Sequence, residues 1–225
     1  MKRKNLPLMA IALALALIGG GTLSAQMLVT SRIEAQIKSE LPKASGVSAS
    51  IPLTDIPQNL SSGTIKSAEI NIDKYVLKGS KTESTLAITL KRVSTSKPAI
   101  AGYLDITATI PAETILQSSE FGEAQIVGNT LQVSASASGL GKAVLVPKFS
   151  NNQIYFELKG ISLFGNEVPA SALPAEAKSQ IKSKTIRELN VPQGLKLKSV
   201  SLSPEGLSVN FSGINIQLGK LGSSL

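Results

Sequence analysis

The stretch Leu189–Leu218, LNVPQGLKLKSVSLSPEGLSVNFSGINIQL, decides how the chain is read. Leu195, Leu197, Val200 and Leu202 form one apolar-alternating run; Leu207, Val209 and Phe211 form a second. Alternation of this kind marks a strand with one face buried. Between the runs lies Ser203-Pro204-Glu205-Gly206. Proline presets φ at the start of a turn and glycine accepts φ > 0 at its end, so the tetrapeptide predicts a tight turn and the pair an antiparallel hairpin. A lone hairpin is marginal in water, so its apolar face must pack against the rest of the chain. No residue suited to catalysis occurs in the stretch.

Immediately upstream, Pro174–Glu188 reads as a basic helix. Lys178, Lys182, Lys184 and Arg187 outnumber Glu176 and Glu188, and Ala177, Ile181 and Ile186 give a weak apolar stripe. Before it come strand-like runs: Ile70–Ile72 and Tyr75–Leu77, with a bulge expected near Asp73-Lys74; Leu86, Ile88 and Leu90; Leu104, Ile106, Ala108 and Ile110. Pro111 opens a helical turn to about Gln117, at the position a helix tolerates proline. Gly128-Asn129 turns into Leu131, Val133, Ala135 and Ala137. Ala143–Phe149, Ser150-Asn151-Asn152 and Ile154–Leu158 predict a further hairpin, and Gly165-Asn166 a short one. At the other end, Val29, Ile33, Ile37 and Leu41 recur at helical spacing, so Ala25–Leu41 reads as an amphipathic helix stopped by Pro42. The expected fold class is therefore α+β: a curved antiparallel β-sheet wrapped on an N-terminal helix and a helix in the C-terminal half.

The composition narrows the chemistry. The chain has 225 residues, 42% of them hydrophobic but only 4% aromatic, and no Trp, so its core is aliphatic. Cys is absent, which removes disulfides, thiolate metal sites, a cysteine nucleophile and a cysteine-linked lipid anchor. His is absent too, and with it the usual base near neutral pH, the usual zinc ligand and the Ser-His machines. The net charge is +8, falling to +5 without Lys2, Arg3 and Lys4. This excess suits an anionic membrane surface. No basic run interleaved with aromatics points to nucleic acid.

Lys2-Arg3-Lys4 followed by the apolar Leu6–Ile18 has the form of an export signal. Leu23-Ser24-Ala25 offers a cleavage site, and the uncharged stretch continuing to Thr30 is long enough to span a bilayer if it stays uncut. The organisation expected is residues 1–25 as signal peptide or membrane anchor, 26–218 as a single lipid-binding domain and 219–225 as a flexible tail. Either fate of the first segment exports the remainder to the cell envelope, membrane-anchored or secreted.

Three blocks carry a resemblance to a known family. They are the export segment running into the amphipathic helix (Met1–Leu41); Pro52-Leu53-Thr54 through Ser62-Gly63 to Ala68–Ile72, with Ala108–Glu113; and Pro192–Leu197, Val200, Pro204–Val209 and Gly213. In these the chain resembles the LmeA-type phospholipid-binding proteins of the bacterial cell envelope, most specifically in the third block. It departs from them in being rich in Lys and Ser. The resemblance implies an exported, membrane-proximal phospholipid-binding protein with a role in lipid-linked envelope glycan assembly. The tubular lipid-binding folds are a more distant analogy.

Under that reading, the alternating apolar positions line a groove for acyl chains rather than a closed core. The residues concerned are Leu86, Ile88, Leu104, Ile106, Leu145, Ile154, Phe156, Leu195, Leu197, Leu207, Val209 and Phe211. Each buried methylene contributes about 0.8 kcal/mol, so one tail offers several kcal/mol after ordering costs. Lys178, Lys182, Lys184 and Arg187 are the expected headgroup contacts; a solvated helix face is their plainer reading. No catalytic residue, metal ligand set or cofactor motif is assigned. Asp55, Asp73, Asp105 and Glu113 are not placed in pairs by any pattern, and Gly139-Leu140-Gly141-Lys142 lacks the spacing of a phosphate loop. The alternative class is an enzyme or accessory factor of envelope polysaccharide elongation, which needs a polar cleft with convergent carboxylates.

Overall fold

The computed structural model describes residues 34–35, 44–52, 63–76, 83–94, 98–117, 123–134, 141–163, 166–189, 191 and 193–218. Twelve strands, two α-helices and a 3-10 turn are defined among them. The strands are β1 (Ser45–Ser50), β2 (Thr64–Val76), β3 (Glu83–Ser94), β4 (Ile100–Pro111), β5 (Ala124–Val127), β6 (Thr130–Ser134), β7 (Gly141–Ser150), β8 (Gln153–Leu163), β9 (Asn166–Pro169), β10 (Arg187–Glu188), β11 (Lys196–Ser203) and β12 (Gly206–Gln217). The helices are α1 (Ala112–Gln117) and α2 (Ala175–Thr185), with the 3-10 turn at Ala170–Ala172.

The strands form two antiparallel sheets. One has the order β1-β2-β3-β4-β12-β11; the other runs β10-β8-β7-β6-β5, with β9 also on β8. The chain resolves into two compact units. Of the described residues, the first holds those up to Ala108 with those within 190–198 and 210–218; the second holds those within 109–189 and 199–209.

This corrects the α+β expectation. The protein is mainly β, with about 70% of the described residues in strands and 15% in helices. The helices are too short and too polar to serve as the axis of a wrapped sheet. In α2, Ile181 is the single large apolar side chain and it is only half-buried. The helix also stops at Thr185, where Ile186 turns extended and Arg187-Glu188 pair with Ile154 and Gln153 of β8. Most of the amphipathic Ala25–Leu41 run lies outside the described residues. Its Glu34 and Ala35 are helical, and a Glu34 carboxylate oxygen accepts the Ala49 N–H of edge strand β1 at 3.2 Å. The export segment and the 219–225 tail also lie outside. No helix among the described residues is long and apolar enough to cross a membrane.

In the first unit the β2–β3 ribbon carries the core. Ile70 pairs with Ile88 and Ile72 with Leu86, and the register slips between Ile72 and Tyr75, at the bulge expected near Asp73-Lys74. The slip keeps both Ile72 and Tyr75 on the buried face, each at most 5% exposed. Ala68, Leu90, Leu104, Ile106 and Phe211 complete an apolar, mainly aliphatic interior. At the outer face of β4, Tyr103 Oη donates to Asp105 at 3.0 Å, and Asn210 Nδ2 donates to Asp105 at 2.7 Å and to Thr107 at 3.0 Å. Polar and apolar residues thus alternate along β4 as the pleat requires.

In the second unit the hairpins follow their turn chemistry. Asn151 and Asn152 take φ of 50° and 59° between β7 and β8, the left-handed pair that suits the twist of a two-residue hairpin. Gly128 takes φ 58° between β5 and β6. The Pro204-Glu205 turn joins β11 to β12, and Gly206 sits at φ 144°. A Cβ on Gly206 would lie 2.0 Å from the Ile110 carbonyl oxygen, so only glycine lets the turn meet the end of β4. The Ala112 N–H donates to the Glu205 carbonyl at 3.1 Å, closing that contact.

Candidate functional site

The twelve residues expected to line a groove divide between the units. Leu86, Ile88, Leu104, Ile106, Leu195, Leu197 and Phe211 belong to the first; Leu145, Ile154, Phe156, Leu207 and Val209 belong to the second. Ten of them are buried, Leu104 and Leu145 completely, while Phe156 and Leu197 are half-buried. In the first unit Leu86 and Ile88 stand beside Ile72 and Ile70, so β2 supplies as much of the aliphatic face as β3. Ile65, Ala68, Ile70, Ile72, Leu90 and Val93 belong to the same interior and are absent from the sequence-based set. Ile70, Ile72 and Leu90 are legible as strand positions; beyond Leu90 the alternation slips by one where Arg92 takes φ 53°, which hides Val93.

One polar atom stands out in this interior. The Ser84 hydroxyl is buried without a hydrogen-bond partner, and Ser84 faces Tyr75 across the β2–β3 ribbon. Burial pushes the Tyr75 phenol pKa above its ordinary value, so the ring stays neutral there.

The four basic residues also separate. Lys178 and Lys182, one helical turn apart, line the same cleft between α2 and β8. Lys184 is exposed, and the Arg187 guanidinium folds back to donate to the Lys184 carbonyl at 3.0 Å and the Ile186 carbonyl at 2.9 Å. Arg187 therefore satisfies the end of the helix, where a cation also complements the helix dipole.

The cleft has a volume of about 510 Å³ and lies wholly within the second unit. Its floor is Tyr155, Glu157 and Leu158 of β8, and its walls are the 3-10 turn and the first turns of α2. Thr185 pins the far end of α2 to the strand. Its Oγ1 accepts the Phe156 N–H at 2.9 Å and lies 2.9 Å from the Ile181 carbonyl. Lys182 Nζ stands 4.4 Å from the centre of the Tyr155 ring, a cation–π contact that holds the ammonium at the cleft wall. Tyr155 and Glu157 were not singled out by sequence, because nothing in a strand's alternation says that a helix will stand off its face.

The carboxylates considered for catalysis are placed as follows. Asp55 lies outside the described residues. Asp73 sits at the β2 bulge, Asp105 is engaged by Tyr103 and Asn210, and Glu113 opens α1. The Asp105 hydrogen bond, with burial and the adjacent negative charge, raises the Tyr103 phenol pKa. Among the described residues no three acidic side chains converge as a metal site would require. Of Gly139–Lys142, the described Gly141 and Lys142 open strand β7, not a helix.

No curated protein and no solved structure matches the chain. A family model does, the LmeA-like phospholipid-binding family, over residues 23–212. That span takes in both helices, the hairpin turn at Pro204-Glu205 and every strand but the last five residues of β12. The chain belongs to the LmeA-like phospholipid-binding family.

Proposed function

We propose that this is an exported cell-envelope protein that binds phospholipid without chemically changing it, holding acyl chains against aliphatic sheet faces and supporting lipid-linked envelope glycan assembly. The observation that carries the reading is the family match across residues 23–212. Export is supported by Lys2-Arg3-Lys4 ahead of Leu6–Ile18. The expected acyl-chain face is that of Leu86, Ile88, Leu104 and Ile106, which carries no polar side-chain atom; each is at most 2% exposed, so a chain reaches it only where the strands part. An aliphatic surface of this kind selects for chain length rather than for a shape, since each buried methylene contributes about 0.8 kcal/mol wherever it lies. The net positive charge draws the protein to an anionic membrane surface, an attraction that weakens with salt.

A phospholipid bearing a photoreactive group in its acyl chain tests this. After irradiation of the full chain with such vesicles, labelled peptides from β3 and β4 are expected. Labelling confined to exposed positions, or none, overturns the placement of the chains.

A further inference from the structure

We propose that the cleft between α2 and β8 is a headgroup site that selects a phosphodiester carrying a primary amine, the chemistry of phosphoethanolamine. The proposal rests on the phospholipid-binding reading above and names the headgroup it takes. Lys178 and Lys182 stand four residues apart on one face of α2, so their ammonium groups enter the cleft together. Like charges at this spacing destabilise a helix, and among the described residues no carboxylate pairs with either; Lys182 rests on the Tyr155 ring. Two donors on one side therefore await an anion. Glu157 lies two residues from Tyr155 on the same face of β8 and lines the same cleft. The two ammonium groups take the phosphate's single negative charge with one positive charge to spare, and Glu157 gives the amine the anionic partner that the lysines cannot.

The arrangement orders the ligand. The phosphate sits toward α2, where Lys178 and Lys182 donate to its oxygens; Ser171 and Ser179 also line the cleft, the Ser179 hydroxyl donating to the Glu176 carbonyl at 2.9 Å. The amine sits toward β8, where Glu157 accepts its hydrogens; the Tyr155 ring is already taken by the Lys182 ammonium at 4.4 Å. At about 510 Å³ the cleft falls in the range of small-molecule sites, roughly 300–1,000 Å³. A phosphoglycerol headgroup satisfies the lysines and leaves Glu157 facing a neutral hydroxyl, so Glu157 is the residue that discriminates.

The test uses the full chain with vesicles of equimolar phosphatidylethanolamine and phosphatidylglycerol, followed by re-isolation and mass spectrometry of the bound lipid. The wild type is expected to hold the ethanolamine lipid several-fold over the glycerol lipid. Glu157→Gln should bring that ratio close to one while keeping total bound lipid. Lys178→Gln with Lys182→Gln should lower both lipids at least ten-fold while the protein stays folded, its melting temperature moving by no more than a few degrees as the Tyr155 contact and the like-charge repulsion are lost together. An unchanged ratio in Glu157→Gln, or unchanged binding in the double variant, overturns the proposal. Absence of both lipids from the wild type sinks the phospholipid-binding reading itself. Soluble glycerophosphoethanolamine separates the sources: a shift of the Tyr155 ring resonances that the double variant abolishes assigns recognition to the headgroup alone. No shift, with the vesicle preference intact, assigns it to the intact lipid.

Discussion

Replacing Gly206 with alanine tests the packing of the hairpin turn against the end of β4. The added Cβ would stand 2.0 Å from the Ile110 carbonyl oxygen, 2.9 Å from its carbon and 3.1 Å from the Ala112 nitrogen. All three are backbone atoms, so no side chain can swing aside. The backbone at φ 144° is also a conformation that L-residues avoid, and such strain costs about 1–3 kcal/mol. Relief requires the turn to lift away, which breaks the Ala112 N–H to Glu205 hydrogen bond, a further 0.5–1.5 kcal/mol or so. The expected loss is about 2–4 kcal/mol. For a chain of this size each kcal/mol lowers Tm by about 2–4 °C, so a fall of roughly 5–15 °C is expected by calorimetry or circular dichroism. Gly128→Ala is the control. Its φ is 58° but a Cβ there meets nothing within 4 Å, so only the left-handed backbone term of about 1–2 kcal/mol applies. Equal Tm values for the two variants, or a Gly206→Ala protein as stable as the wild type, would refute the claim that the close approach to Ile110 fixes this glycine.

Other expectations follow from burial and hydrogen bonding. Phe211 is 1% exposed, so Phe211→Ala should lower stability by about 3–5 kcal/mol in urea titration, whereas Ile214→Ser, at a side chain 71% exposed, should stay within about 0.5 kcal/mol. Thr185→Val leaves the Phe156 N–H without its side-chain acceptor and should cost about 1–3 kcal/mol, with faster amide exchange at Phe156 as the specific sign. The Glu205 carboxyl is held below its usual pKa by the Ser203 hydroxyl and a backbone hydrogen bond. A carboxyl depressed on folding adds stability above its unfolded pKa and loses it as pH falls through the folded value. Ser203→Ala should therefore move the Glu205 titration, followed by NMR, up toward the ordinary carboxylate value, and an unmoved titration would remove the Ser203 contribution.

The parts of the fold legible in sequence are those fixed by local chemistry. Asn151-Asn152, Gly128-Asn129 and Pro204–Gly206 each encode a turn in the residue types they use, and the β2 bulge follows from a break in alternation at Asp73-Lys74. What stayed hidden depends on partners distant in the chain. β1 has Val47 as its single buried residue, so no alternation marks it in sequence, and β2 supplies its ladder. β5 is four residues long and gains its register from β6. The α+β expectation fails because strands make up most of the described residues and α2, with Ile181 as its one large apolar side chain, has too little apolar surface to organise a sheet. For the site, Lys178 and Lys182 were visible as charge, but their separation from Lys184 and Arg187 was not. That depends on where the helix ends and on the return of the Arg187 guanidinium to the helix carbonyls. Glu157 was invisible because a carboxylate on a strand carries no mark of the helix that stands over it.

The most direct measurement of the central claim is the amount of phospholipid carried by the protein. The full chain is incubated with phospholipid vesicles and re-isolated, and its bound lipid is extracted into organic solvent and counted by mass spectrometry. Phospholipid at a near-constant ratio of about one per chain, as a single-site binder holds at saturation, is the result predicted. Protein recovered without lipid, and without affinity for the vesicles, would contradict it.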